Sequence, residues 1–175
     1  MKKCGLEKGS AVTQTVLMAA MLVFVILPVF SAVIEKYILM EKARIIRDSV
    51  DMTNISAYNA LSCTDLGKVR IEAGRSEILE IYRQMLSANL RLRDDLEPGP
   101  DSVAEARVEV LSLEIFTDSF PVQCPDGVSI TRPAVHSSIC VPVRPSLYRS
   151  VILKMLGKDY IEIIVHVDTE IPVNN

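Results

Sequence analysis

"EKGSAVTQTVLMAAMLVFVILPVFSAVIEKY", residues 7–37, carries no charged side chain between Lys8 and Glu35. Residues 11–34 are 24 uncharged positions, which as a helix rise about 36 Å at ~1.5 Å per residue. A bilayer core is about 30 Å thick and takes roughly 20 apolar residues, so the stretch is long enough to span it. Val12, Val16, Val23, Val25 and Ile26 do not oppose a helix in lipid, where an unpaired backbone is the costlier fault. Pro28 should kink this helix or loosen one of its turns. Thr13, Gln14 and Thr15 form a polar knot near its start.

A cleaved secretory signal competes with this reading. Lys2, Lys3 and Lys8 supply a positive leader, and cleavage after Ser31 or Ala32 would follow small residues. The stretch is long for such a signal and Phe30 suits the second site poorly, so a retained anchor is expected. Cys4 precedes the apolar stretch, whereas a lipid-modified cysteine follows one, and lipidation is rejected. Lys36, Lys42, Arg44 and Arg47 follow the stretch as closely as the leader lysines precede it, so charge does not fix orientation. A cytoplasmic N-terminus and an exported domain are preferred because Cys124 and Cys140 look pairable.

Outward from the span, "IEKYILMEKARIIRDSVDMTNISAYNAL" (34–61) has neither Pro nor Gly. Ile38, Ile45 and Met52 recur every seven residues, and Ile34, Ile46, Val50, Ile55 and Tyr58 widen the stripe, as in an amphipathic helix lying on a core. Either a separate core helix follows the span, or residues 11–61 form one stem of about 75 Å. "SCTDLG" (62–67) breaks the pattern. A second helix is expected over 68–92, with Ile71, Ile78, Tyr82, Met85 and Leu86 on one face and Gly74 weakening its first turns. "LEPGPDS" (96–102) is a loop.

The period then changes to two. In "ARVEVLSLEIF" (106–116) Val108 and Val110 share one face, and Leu111, Leu113 and Ile115 the other; the slip at Val110–Leu111 suggests a bulge. "CPDGVSIT" reads as a turn entering a short strand, and "SICVPVRP" as an edge strand because of Pro142. "PSLYRSVILKMLG" reads as a helix stopped at Gly157. In "DYIEIIVHVDTEIPV", Ile161, Ile163, Val165, Val167 and Ile171 face one way, and Glu162, Ile164, His166 and Asp168 the other. Helices first and strands later give an α+β class, with one antiparallel sheet packed on the stem and the second helix. The organisation expected is a basic leader (1–9), a transmembrane helix (10–34), a helical stem (35–61) and an extracytoplasmic α+β head (62–175).

"EKGSAV", the apolar stretch, "VIEKY" and "DSVDMTNISAYNAL" together resemble the TadE-like pseudopilins of tight-adherence (Flp-type) pilus systems. The resemblance covers about the first third of the chain. It implies processing by a prepilin peptidase between Gly9 and Ser10, and it places Glu35 at the family's exit glutamate. The family's glutamate five residues after the glycine is Gln14 here, followed by Thr15 rather than an aromatic residue. Gln14 and Glu35 are thereby the assembly residues, and the expected partners are membrane lipid, other pilus subunits and an inner-membrane assembly platform.

The 175 residues carry a net charge of −3 and no Trp, which excludes a basic or base-stacking nucleic-acid binder. The four cysteines have no zinc-module spacing, and no metal or cofactor is expected. Fifteen residues separate Cys124 from Cys140; a disulfide and two separate buried thiols are alternatives of similar weight. The pairs Cys140/His136 and His166/Asp168 are candidates for catalysis or metal binding, but their spacing is not diagnostic, and His166 alternating with Glu162 and Asp168 reads more simply as a half-solvated strand face. Without a G-x-S-x-G turn or a phosphate loop they do not make an enzyme. Two functions follow: a non-catalytic, membrane-anchored minor pseudopilin or pilus-assembly component, or a single-pass anchored sensor or binding module.

Overall fold

A computed structural model describes residues 6–64, 75–117 and 119–171. Helix α1 (Leu6–Met21), a π-helical turn (Leu22–Ile26) and helix α2 (Leu27–Thr64) follow one another without a break. Helix α3 (Arg75–Leu90) precedes strands β1 (Glu109–Phe116), β2 (Val122–Gln123), β3 (Ser129–Ile130) and β4 (Ala134–Val143); helix α4 (Leu147–Met155) and strand β5 (Ile161–Glu170) close the chain. The class is α+β. The expected residues Ile71 and Gly74 lie outside the described residues.

The π turn answers the question of Pro28. Pro28 has no amide hydrogen, and its ring crowds the carbonyl four residues back. The turn just before it is widened, with the Leu27 N–H bonded to the Leu22 carbonyl, a five-residue reach. The helix is loosened rather than broken.

Two compact units are found: Met1–Met40 with Pro145–Asp159, and Glu41–Arg144 with Tyr160–Asn175. In the second unit, β4 is central in a three-stranded antiparallel sheet of order β1-β4-β5, and β2 and β3 form a separate hairpin. The expected bulge is present: register shifts between Val110 and Ser112. Val110, Leu113 and Ile115 oppose Ile139, Ser137 and Val135, so all three share one face. Leu111 is the extra residue, and it is exposed. The shift therefore keeps the apolar residues on both sides of the bulge turned the same way.

Two expectations need correction. "SICVPVRP" belongs to the central strand, not to an edge. Pro142 fits there because β1 reaches only as far as Cys140; beyond that, the Pro142 carbonyl takes the loop N–H of Glu105 at 2.9 Å. A strand residue's N–H and C=O point to the same neighbour in an antiparallel ladder, so no strand is present to miss the proline's donor. The buried stripe of α2 is also rotated by one residue. Ile45 and Met52 are 44% and 57% exposed, whereas Ile46 and Val50, expected on the margin of the stripe, are buried together with Thr53, Asn54 and Ala57.

Polar residues centre that stripe, and hydrophobic periodicity is blind to them. Asn54 Nδ2 donates to Thr169 Oγ1 at 2.9 Å and to the carbonyls of Val135 and Val167 at 3.4 and 3.5 Å. Asn54 Oδ1 accepts from the Ser137 hydroxyl at 2.8 Å. Thr53 accepts from Asn89 of α3 at 2.9 Å. With Tyr82, Leu86, Ile139 and Val141 fully buried nearby in sequence order on α3 and β4, the odd-numbered face of β4 and β5 carries the core. Past α3 the chain turns back tightly, and a Cβ at Gly99 would lie 2.4 Å from the Arg91 carbonyl oxygen. Only glycine fits there.

Candidate functional site

Two groupings of side chains stand out, one in each unit. In the first unit, every apolar side chain of residues 11–30 is wholly or partly open, with Phe24 78% exposed. The helix Ala11–Ala60 is long and apolar enough to cross a membrane, and none of its most apolar window is covered by the protein. Gly9 and Ser10 lie within α1. Gln14 is exposed on that helix, and Thr15 bonds back to the Ala11 carbonyl at 2.9 Å.

Glu35 is different: it is 3% exposed. Its carboxylate accepts the backbone N–H of Ser146 at 2.9 Å and the Ser146 hydroxyl at 2.8 Å. Ser146 stands immediately before α4, where helix amides lack internal partners and the dipole favours an anion. Glu35 thus fastens the start of α4 to α2, and its oxygens are already engaged within the chain.

In the second unit, the even-numbered face of β4 and β5 is open along Glu162 and Ile164 but covered at its other end. There the β2–β3 hairpin makes a small core of Cys124, Ile130 and Ala134, with Phe116, Phe120 and Val122 against it. The Cys124 N–H bonds to Val128, and its carbonyl accepts the Gly127 N–H. Gly127 has φ of +81°, which suits glycine in this turn. The expected turn at "CPDG" is present.

Beside that core His136 and Asp168 face each other across the β4–β5 ladder, and His166 lies two residues before Asp168 on the same face. His136 Nδ1 meets Asp168 Oδ1 at 2.8 Å, and His166 Nε2 meets Asp168 Oδ2 at 2.9 Å. The far nitrogens are held too: His136 Nε2 by Ser112 Oγ at 3.1 Å and His166 Nδ1 by Asp126 Oδ2. The Cys124 thiol points to Asp168 Oδ2 at 3.8 Å. The rings stand edge to face, 4.7 Å apart.

Burial opposes charge on His166, but hydrogen bonds to Asp168 and Asp126 outweigh it and hold its pKa above the ordinary value. Burial likewise pushes the Asp168 carboxyl up, and bonds from His166 and His136 more than reverse this, holding it low. Both shifts favour the charged forms of His166 and Asp168.

The structure joins His166 to Asp168 as the sequence suggested. It does not join Cys140 to His136: Cys140 lies four residues along β4, about 13 Å at ~3.3 Å per residue. For the same reason the Cys124–Cys140 disulfide is absent. Both thiols are free, because the hairpin sets Cys124 beside His136 and not beside Cys140. Cys140 is half-buried, and burial raises its pKa, helped by the nearby Glu162 and Glu109 carboxylates. Cys124 as the neighbour of both histidines was not read from the sequence. Alternation put His166 and Asp168 on one face of β5, but the expected strand in β4 began after His136, and the hairpin's fold-over has no local signal.

Comparison with models of known protein families, with curated proteins and with solved structures finds no match to this chain.

Proposed function

We propose that this chain is a non-catalytic, single-pass membrane subunit: a minor pseudopilin or assembly component of a tight-adherence type pilus system. The observation that carries the reading is the open apolar helix 11–34, which runs without a break into the part of α2 buried against the sheet. Such an uncovered surface is far larger than a water-exposed helix retains without a lipid or protein neighbour. Helix α4 and the turn after it support it: Val151, Met155 and Leu156 are exposed, as are Arg149, Lys154 and Lys158, a composition suited to the headgroup layer. The "EKGSAV" leader and Glu35 supply the resemblance to pseudopilins. On this reading the N-terminus is cytoplasmic, the sheet domain is exported, and a prepilin peptidase cuts between Gly9 and Ser10.

Gln14 then shapes the role. In lipid a new terminal ammonium needs a partner, since an unpaired buried charge costs several kcal/mol. An amide accepts a hydrogen bond but does not neutralise that charge. Gln14 therefore suits a subunit that packs beside pilin helices through an interhelical bond of about 1 kcal/mol, not a main polymer subunit. The test is expression with the cognate peptidase, mass spectrometry of the mature N-terminus, and co-isolation of the wild type, Gln14→Glu and Gln14→Leu with pili. A terminus at Ser10 and weaker association of Gln14→Leu are expected. An intact leader with equal association of all three leaves only a generic anchor, as in an anchored sensor or binding module.

A further inference from the structure

We infer that Cys124, His136, His166 and Asp168 form a structural binding site for a divalent zinc-type cation, which staples the β2–β3 hairpin to the sheet. Each offers one donor atom, and the four atoms lie within 4.8 Å of one another. A tetrahedral zinc site with bonds of about 2.0–2.3 Å separates its donors by roughly 3.3–3.8 Å. The set has to contract by about 1 Å, which side-chain rotation supplies. One thiolate, two imidazoles and one carboxylate are the donor types zinc takes, and hard oxygen-seeking cations do not favour such a mixture.

Proximity alone would not carry this, since histidine–carboxylate clusters occur without metal. The outer hydrogen bonds do. One nitrogen of each ring points at Asp168, while the other is anchored outside the cluster, His136 by Ser112 and His166 by Asp126. That is the arrangement by which metal-binding imidazoles are held in one tautomer and orientation. The Ser112 contact comes from the irregular part of β1, where the register shift ends, and bulges re-aim side chains in this way. The four donors also come from two strands, β4 and β5, and a hairpin whose own strands are two residues each. A two-residue ladder holds itself weakly, so a cation bridging Cys124 to β4 and β5 adds what the hairpin lacks. His136 is fully buried and Cys124 nearly so, and four protein donors fill a tetrahedral shell. The site is structural rather than catalytic. Binding releases the Cys124 thiol proton and the protons shared between the imidazoles and Asp168.

The test uses the full-length chain in detergent, reduced, stripped with a chelator and titrated with Co2+ and then Zn2+. One equivalent of Co2+ should give tetrahedral visible bands and a thiolate-to-metal band in the near ultraviolet, and Zn2+ should bleach both. Cys124→Ser should lose the thiolate band, His166→Gln should bind about tenfold or more weakly, and Cys140→Ser should match the wild type. Zn2+ should also raise the melting temperature of the wild type and of Cys140→Ser. No tetrahedral spectrum from the wild type at one equivalent overturns the inference, as does a thiolate band that survives Cys124→Ser or vanishes in Cys140→Ser. The wild-type titration and the His166→Gln comparison decide the matter even where Cys124→Ser does not fold.

Discussion

Asn54 is the residue on which the helix–sheet junction turns. Its amide meets Ser137, Thr169 and two strand carbonyls, and Thr169 in turn donates to Asp51 at 2.6 Å. Asn54→Ala strips the Ser137 hydroxyl of its acceptor and removes the Asn54 donor from Thr169 and the two carbonyls, and a loss of roughly 2–4 kcal/mol is expected in denaturant unfolding. Met52→Ala, on the stripe that hydrophobic spacing favours, should change stability by no more than about 0.5 kcal/mol. Equal losses would show that the buried face is assigned one residue off. Tyr82 is the opposite case. Its hydroxyl is buried with no hydrogen-bond partner among the described residues. Burial pushes its pKa up to about 12, and the nearby Ser137 hydroxyl, already given to Asn54, pulls the other way. The folded phenol keeps its proton where the unfolded one, at about 10, has lost it. Stability from this group is therefore full below about pH 10 and drains away towards pH 12. Tyr82→Phe should be as stable as the wild type, or up to about 1 kcal/mol more so, and should lack that part of the alkaline decline. A drop at neutral pH would mean that the hydroxyl has a partner after all. Tyr82 was legible as part of the apolar face of the second helix, but not the buried hydroxyl without a partner, and a buried amide such as Asn54 gives the hydrophobic pattern nothing to read.

Among elements, α4 depends on a contact far away in sequence. Ser146→Ala removes one of the two bonds to the Glu35 carboxylate, a charge-assisted bond of about 1.5–3 kcal/mol. Hydrogen-exchange protection of α4 amides should fall roughly 10- to 100-fold while that of β4 and β5 is unchanged. A uniform fall in all three would show that the contact is not local. The elements themselves were mostly legible. Pro145 and Gly157 bracket α4, alternation gives β5 with both faces correctly sorted, and the phase slip at Val110–Leu111 announces the β1 bulge. Strand neighbours were not legible: Pro142 argues for an edge, and only the early end of β1 makes a central strand tolerate it. Likewise Glu35 reads as a surface or assembly glutamate until Ser146 is seen against it.

At the scale of the whole molecule, a helix long and apolar enough to span a membrane precedes an α+β domain among the described residues. Both features are visible in the sequence because each rests on a long run, of apolar residues in one case and of alternation in the other. Which side of the membrane the domain occupies is a further step, since lysines and arginines flank the span on both sides. Reporter fusions after Leu61 and at the C-terminus should both show an exported location. Cytoplasmic activity at both would invert the topology proposed above. The candidate cation site belongs to this scale too, because its donors lie up to 44 residues apart, from Cys124 to Asp168, and only His166 and Asp168 are joined by a short interval.

The widened turn at Leu22–Ile26 has an effect on the azimuth of the helix. Over the 21 residues from Gln14 to Glu35 an unbroken α-helix would return them to nearly the same side, about 60° apart. One extra residue absorbed by a π turn sets back everything after it by about 100°, leaving the two on nearly opposite sides. A neighbouring helix lying along the Gln14 side would then run past the back of Glu35 and leave its grip on Ser146 undisturbed.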